Sequence, residues 1–126
     1  MKRNNIILWL DDMRDPNNYK DFYINQYVRD CDEIVWVKNY REFCNYLNSN
    51  EFPAYVFFDH DLGEELTGYD CCKYMVDFLM DNNIDPNDYH FIVQSANPVG
   101  RENIYGLVNN YIKYYNNNCI ECYDKI

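Results

Sequence analysis

Two short clusters of acids, Asp11-Asp12 and Asp59-His60-Asp61, each directly follow a run of apolar residues. Carboxylates gathered in one place repel one another. A hard divalent cation such as Mg²⁺ or Mn²⁺ relieves that repulsion through oxygen ligands. Bound to phosphate, such an ion polarises the phosphoryl oxygens and acidifies water. Arg14 and Arg101 offer planar guanidinium forks that match phosphate oxygens. Ser95 and Asn97 offer neutral donors, and His60 offers an imidazole able to pass a proton to a leaving alkoxide. Taken singly, each residue has a plainer reading. An aspartate after a strand caps a helix or solvates a turn, Asn97 caps a helix at Pro98, Arg101 pairs with a carboxylate, and His60 points away from its neighbours. The joint pattern of acids after two separate apolar runs is what points to a site.

The elements that must position these groups follow from the apolar runs. Ile6-Ile7-Leu8-Trp9-Leu10, Ile34-Val35-Trp36-Val37, the segment 54–58 and Phe91-Ile92-Val93 are short, continuous and closed by polar or turn residues. Such runs are buried parallel strands. Between them, Tyr40, Phe43, Cys44 and Leu47 recur at helical spacing before Pro53, as do Cys71, Cys72, Met75, Val76, Leu79 and Met80. Thr67 with Asp70 three residues on has the capping-box spacing. Ile104, Leu107, Val108, Tyr111 and Ile112 mark a further amphipathic helix, residues 19–30 a weaker one, and residues 119–123 a short fifth strand or a tail. Strands alternating with helices predict an α/β fold of three layers, a doubly wound parallel sheet, spanning residues 1–126 as a single domain. In such sheets ligands bind beyond the carboxyl ends of the strands, where the acids, Ser95, Asn97 and both arginines all fall. His90 lies at the opposite end of its strand and reads as structural, and Trp9 and Trp36 read as core.

The totals narrow the partners. With 21 acidic and 11 basic residues among 126, the net charge is −10. That field disfavours duplex DNA and anionic membranes, and it attracts cations. No apolar run approaches membrane-spanning length. With no secretory signal, the expected location is the cytoplasm, where the six cysteines are mostly small core residues. Cys119-Ile-Glu-Cys122 has the spacing of half a zinc site, but no second pair of ligands with suitable spacing accompanies it.

An apolar strand ending in Asp11-Asp12, a single Asp59 closing the third strand and Ser95 closing the fourth resemble the receiver domains of two-component signalling over nearly the whole chain. That resemblance implies a receiver or flavodoxin-like strand order 2-1-3-4-5. It also implies Mg²⁺ near Asp11 and Asp12, a phosphoryl acceptor at Asp59 and a phosphate contact at Ser95. Two features depart from receivers. The lysine expected after a fifth strand is matched only by Lys125, and His60, Asp61 and the stretch Ser95-Ala96-Asn97-Pro98-Val99-Gly100-Arg101-Glu102-Asn103 are additions. With Leu8-Trp9-Leu10-Asp11-Asp12-Met13-Arg14 and Phe58-Asp59-His60-Asp61-Leu62-Gly63, those additions resemble the cyclic-phosphate-processing receiver domains, common in phages and bacteria.

The resemblance implies an enzyme acting on a cyclic phosphate, such as an RNA 2′,3′-cyclic end or a cyclic nucleotide. The expected reaction is metal-dependent hydrolysis. Asp11, Asp12 and Asp59 hold Mg²⁺ or Mn²⁺, Asp61 is a further ligand or base, and His60 is the acid. Arg14, Ser95, Asn97 and Arg101 bind phosphate, with Arg101 supplying the charge of the missing lysine. The alternative expectation is a non-catalytic module, phosphorylated on Asp59 or binding a nucleotide or protein partner.

Overall fold

The computed structural model describes residues 5–18, 24 and 33–118. The four apolar runs form β1 (Ile6–Leu10), β2 (Glu33–Val37), β3 (Tyr55–Phe58) and β4 (His90–Val93). They pair in parallel in the order β2-β1-β3-β4, the receiver-like order for the strands described. The α-helices among the described residues are α1 (Tyr40–Ser49), α2 (Gly68–Asp81) and α3 (Pro98–Asn118).

Side chains alternate across a strand, and here the alternation divides two cores. Leu8, Leu10, Val56, Phe58 and Val93 face one layer with Phe43 and Leu47 of α1, Met75 and Leu79 of α2, and Ile104, Val108 and Tyr111 of α3. All three described helices therefore cover the same face. On the other face Ile7, Trp9, Phe57 and Ile92 pack together, with Ile24 buried against them. Each large apolar side chain sealed in these layers contributes about 1.5–3 kcal/mol relative to exposure.

Caps fix where the helices begin. The side chain of Asn39 accepts from the Glu42 amide at the start of α1. Thr67 and Asp70 form the expected reciprocal capping box at α2. At α3 the Asn97 Oδ1 accepts from the amides of Val99 and Gly100, both at 3.1 Å.

Strand register is what builds the site. Leu10 lies beside Val37 and Phe58, and Phe58 lies beside Val93. Hence Asp11, Asp59 and Gln94 emerge side by side at the carboxyl edge. Each extends the ladder by one bond, donating to Val37, Leu10 and Phe58 respectively. Among the described residues, α3 meets β4 at this end. The Val93 amide donates to the Tyr105 hydroxyl, and Arg101 Nη1 donates to the Val93 carbonyl at 2.9 Å. The strand expected over 119–123, Lys125, the Cys119–Cys122 pair and all but Ile24 of the helix expected over 19–30 lie outside the described residues.

Candidate metal and phosphate site

A cavity of about 370 Å³ opens at the carboxyl edge. Its wall comes from three loops: Asp11 to Arg14 after β1, Asp59, Asp61 and Gly63 after β3, and Ser95 to Asn97 after β4. Asp11, Asp12 and Asp59 each bring a carboxylate oxygen within 4.8 Å of the other two. Asp11 is buried, and its Oδ1 accepts from the amides of Met13 and Arg14 at 3.0 and 2.8 Å. Its Oδ2 is buried and has no hydrogen-bond partner among the described residues. The nearest cation among the described residues is Arg14 Nη1 at 3.9 Å, too far for a hydrogen bond.

Asp59 is 7% exposed. Burial, then the charge of Asp11, push its carboxyl up to about 6, with Asp12 adding to the rise and Arg14 opposing it. A buried acid with negative neighbours and an acceptor oxygen lacking a donor are both deficits that a divalent cation offsets. The donor set, three carboxylates and no soft ligand, suits Mg²⁺ or Mn²⁺.

Close backbone approach shapes the loop after β3. The Gly68 amide donates to the His60 carbonyl at 2.8 Å, and a Cβ on Gly68 would lie 1.8 Å from the Asp59 carbonyl oxygen. Gly63 sits at φ +68°, where a side chain is strained.

The His60 side chain is largely enclosed, 17% exposed, and its ring is seated on Gly100, where a Cβ would come within 2.3 Å of Cγ. His60 Nδ1 stands 3.2 Å from Asp61 Oδ1 and 3.4 Å from Asn97 Nδ2. Because Asn97 Oδ1 already accepts two amides, its nitrogen must face the imidazole. These two contacts belong to opposite protonation states of one atom. With a proton, Nδ1 donates to Asp61; without it, Nδ1 accepts from Asn97.

Arg14 is held from two sides. Its guanidinium Nη1 donates to the Gln94 carbonyl at 3.2 Å, and its own carbonyl accepts from the Trp9 indole at 2.9 Å. Ser95 is buried, its Oγ accepting from the Asn97 amide.

The sequence matches the cyclic-phosphate processing receiver domain over residues 6–110. The chain belongs to that family. No curated protein matches it. Among solved structures it is similar to one described as an adenylate cyclase from Rhodopirellula baltica, at 12% identity and TM-score 0.48, with 90% of each chain covered. A second is a fusion carrying amino acids 181–211 of the yeast Spc42 trimeric coiled coil, at 12% identity and TM-score 0.47, covering 98% of this chain and 86% of that one.

In this cyclic-phosphate processing receiver domain the carboxyl edge gathers Asp11, Asp12, Arg14, Asp59, Asp61, Ser95 and Asn97 around one cavity. His60 stands behind Asp61 and Asn97. Arg101 is placed elsewhere, its guanidinium on the Val93 carbonyl and over the Tyr105 ring. Gln94, Gly68, Gly100 and the two tryptophans shape the site without having stood out in the sequence. Trp36, read there as core, donates from its indole to the Asp11 carbonyl at 2.7 Å. The indole nitrogen of a tryptophan near the end of a strand was the available signal.

Proposed function

We propose that this receiver-like domain hydrolyses a cyclic phosphate, an RNA 2′,3′-cyclic end or a cyclic nucleotide, with a divalent cation at Asp11, Asp12 and Asp59. The observation that carries the reading is the convergence of those three carboxylates within 4.8 Å, with one buried Asp11 oxygen left without a donor among the described residues. Mg²⁺ or Mn²⁺ bound there supplies Lewis acidity toward phosphoryl oxygens.

The chain's own groups carry the rest. Arg14, its side chain 38% exposed, presents donors to the phosphate, and the hydroxyl of Ser95 lies on the same wall. Asp61 takes a proton from the attacking water, whose oxygen forms the new bond to phosphorus. One ring P–O ester bond breaks, giving a phosphate monoester, and the leaving alkoxide takes a proton from solvent. His60 Nδ1 holds the proton received from Asp61 and hands it back for release to solvent through the exposed Asp61 carboxylate, which is thereby regenerated as base, with Asn97 holding the unprotonated state of Nδ1. This relay places His60 behind the base rather than on the leaving group, because its ring is packed on Gly100 and does not line the cavity.

The test is turnover of a panel of RNA 2′,3′-cyclic phosphates and cyclic nucleotides with and without Mg²⁺ or Mn²⁺, beside Asp59→Asn. Cation-dependent monoester formation that is lost in the variant supports the reading. No turnover by a folded, cation-binding protein would sink it. Stable labelling of Asp59 by acetyl phosphate would favour a phosphorylated module in its place.

A further inference from the structure

Gln94 is the first residue beyond β4 and is 7% exposed. Its amide nitrogen Nε2 donates to the Leu10 carbonyl at 3.1 Å. Leu10 ends β1, which lies two strand positions from β4 in the sheet, so this side chain reaches across the end of β3. The same Leu10 carbonyl also accepts the Asp59 amide at 3.0 Å, filling both of its lone pairs. Gln94 is further tied through its backbone. Its amide donates to Phe58 at 2.9 Å, and its carbonyl holds Arg14 Nη1 at 3.2 Å.

One residue thus touches the peptide before Asp11, the peptide before Asp59 and the guanidinium beside Asp11. These contacts come with a deficit, since Gln94 Oε1 is buried with no hydrogen-bond partner among the described residues. An apolar side chain of similar size would leave no such orphan, so fold stability alone is a poor account of an amide at this position.

We infer that Gln94 is a positioning residue for the cation site, its amide bracing the ends of β1 and β3 so that Asp11 and Asp59 stay converged against their mutual repulsion. This rests on the reading of Asp11, Asp12 and Asp59 as cation ligands. Groups that orient ligands from behind typically change metal affinity 10- to 100-fold when removed. The effect is exerted through Leu10, not by contact with the cation.

The experiment is Mn²⁺ titration of the full chain by calorimetry, for wild type and Gln94→Met, with circular dichroism and thermal melts in chelator for both. Gln94→Met keeps length and volume but removes the amide. The expected result is a retained fold and a Kd for Mn²⁺ weakened roughly tenfold. A purely structural role would move the melt and leave the Kd within about twofold, which would overturn the inference. Should Gln94→Met fail to fold, Gln94→Asn serves, since it keeps an amide one methylene short of Leu10 and carries the same two outcomes. Wild type that binds no Mn²⁺ sinks the cation reading and this inference together. Wild-type binding with unchanged variant affinity sinks this inference alone.

Discussion

The Trp36 indole donates to the Asp11 carbonyl at 2.7 Å, so a residue one short of the end of β2 fixes the backbone of a residue following β1. Trp9 does the same for Arg14 from within the sheet. These are the chain's two tryptophans, and both grip the loop that carries two of the three clustered acids. Binding of Mn²⁺ or Mg²⁺ is therefore expected to change the intrinsic fluorescence saturably, and Asp59→Asn to abolish the change. Trp36→Phe keeps a ring and loses the donor, at a cost of about 1 kcal/mol in denaturant unfolding, with weaker cation binding. Fluorescence indifferent to either ion at millimolar concentration would count against a cation at these acids.

Asp59 makes stability depend on pH in a defined direction. Its carboxyl is held up to about 6 in the fold, against 3.8 for an unperturbed group, first by burial and then by Asp11. Between those values the folded state binds more protons than the unfolded chain, so stability falls as pH rises through that window. The difference corresponds to roughly 3 kcal/mol, present in full as a penalty above about pH 6. In chelator at pH 7.5, Asp59→Asn should melt several degrees above wild type, and the gap should close near pH 4. Adding Mg²⁺ should raise the wild-type melt and leave the variant unmoved. An Asp59→Asn protein that melts lower than wild type in chelator at pH 7.5 would contradict this.

Gly68 and Gly106 should respond oppositely to alanine. A methyl on Gly68 would lie 1.8 Å from the Asp59 carbonyl oxygen, 2.8 Å from its carbon and 3.0 Å from the His60 Cα. All of these are backbone atoms that cannot rotate away, so Gly68→Ala must shift the loop or the start of α2. The expected loss exceeds about 2 kcal/mol, in the range of overpacking, together with cation binding. Gly106 sits in α3, where an added methyl would meet nothing within 4 Å, and Gly106→Ala should gain about 0.5–1 kcal/mol. Equal melting temperatures for the two variants would refute the contrast.

Much of this site was legible in the sequence, because a parallel sheet forces the residues after its strands to one edge. Apolar runs closed by Asp11 and Asp59 were enough to put the acids together, Thr67 announced its cap by its spacing to Asp70, and Asn97 by its place before Pro98. What could not be read is where long polar side chains turn. Arg101 follows the fourth strand closely enough to suggest phosphate, but one turn of helix carries its guanidinium to the Val93 carbonyl. Gln94 is an ordinary polar residue between Val93 and Ser95, and nothing local says that its amide spans β3. Nor does helical periodicity say which sheet face a helix covers. The placement of α1, α2 and α3 together on the Leu8–Leu10 face follows from strand register and crossover, not from any one segment.

Asn97 does two separable things, and substitutions can divide them. Its Oδ1 caps α3 through the Val99 and Gly100 amides, and its Nδ2 faces His60 Nδ1 at 3.4 Å. Asn97→Ala removes both and should cost about 1 kcal/mol through the lost cap. Asn97→Asp keeps the cap, since a carboxylate serves equally well at a helix N-terminus. It also replaces a donor to the imidazole with an acceptor, which favours the protonated Nδ1. Because the proposed relay needs Nδ1 free to receive the proton from Asp61, turnover should fall in Asn97→Asp while the melt is preserved. His60→Gln should lower turnover to the same level in either background. Turnover unmoved by Asn97→Asp would take Asn97 out of the relay and leave it a helix cap.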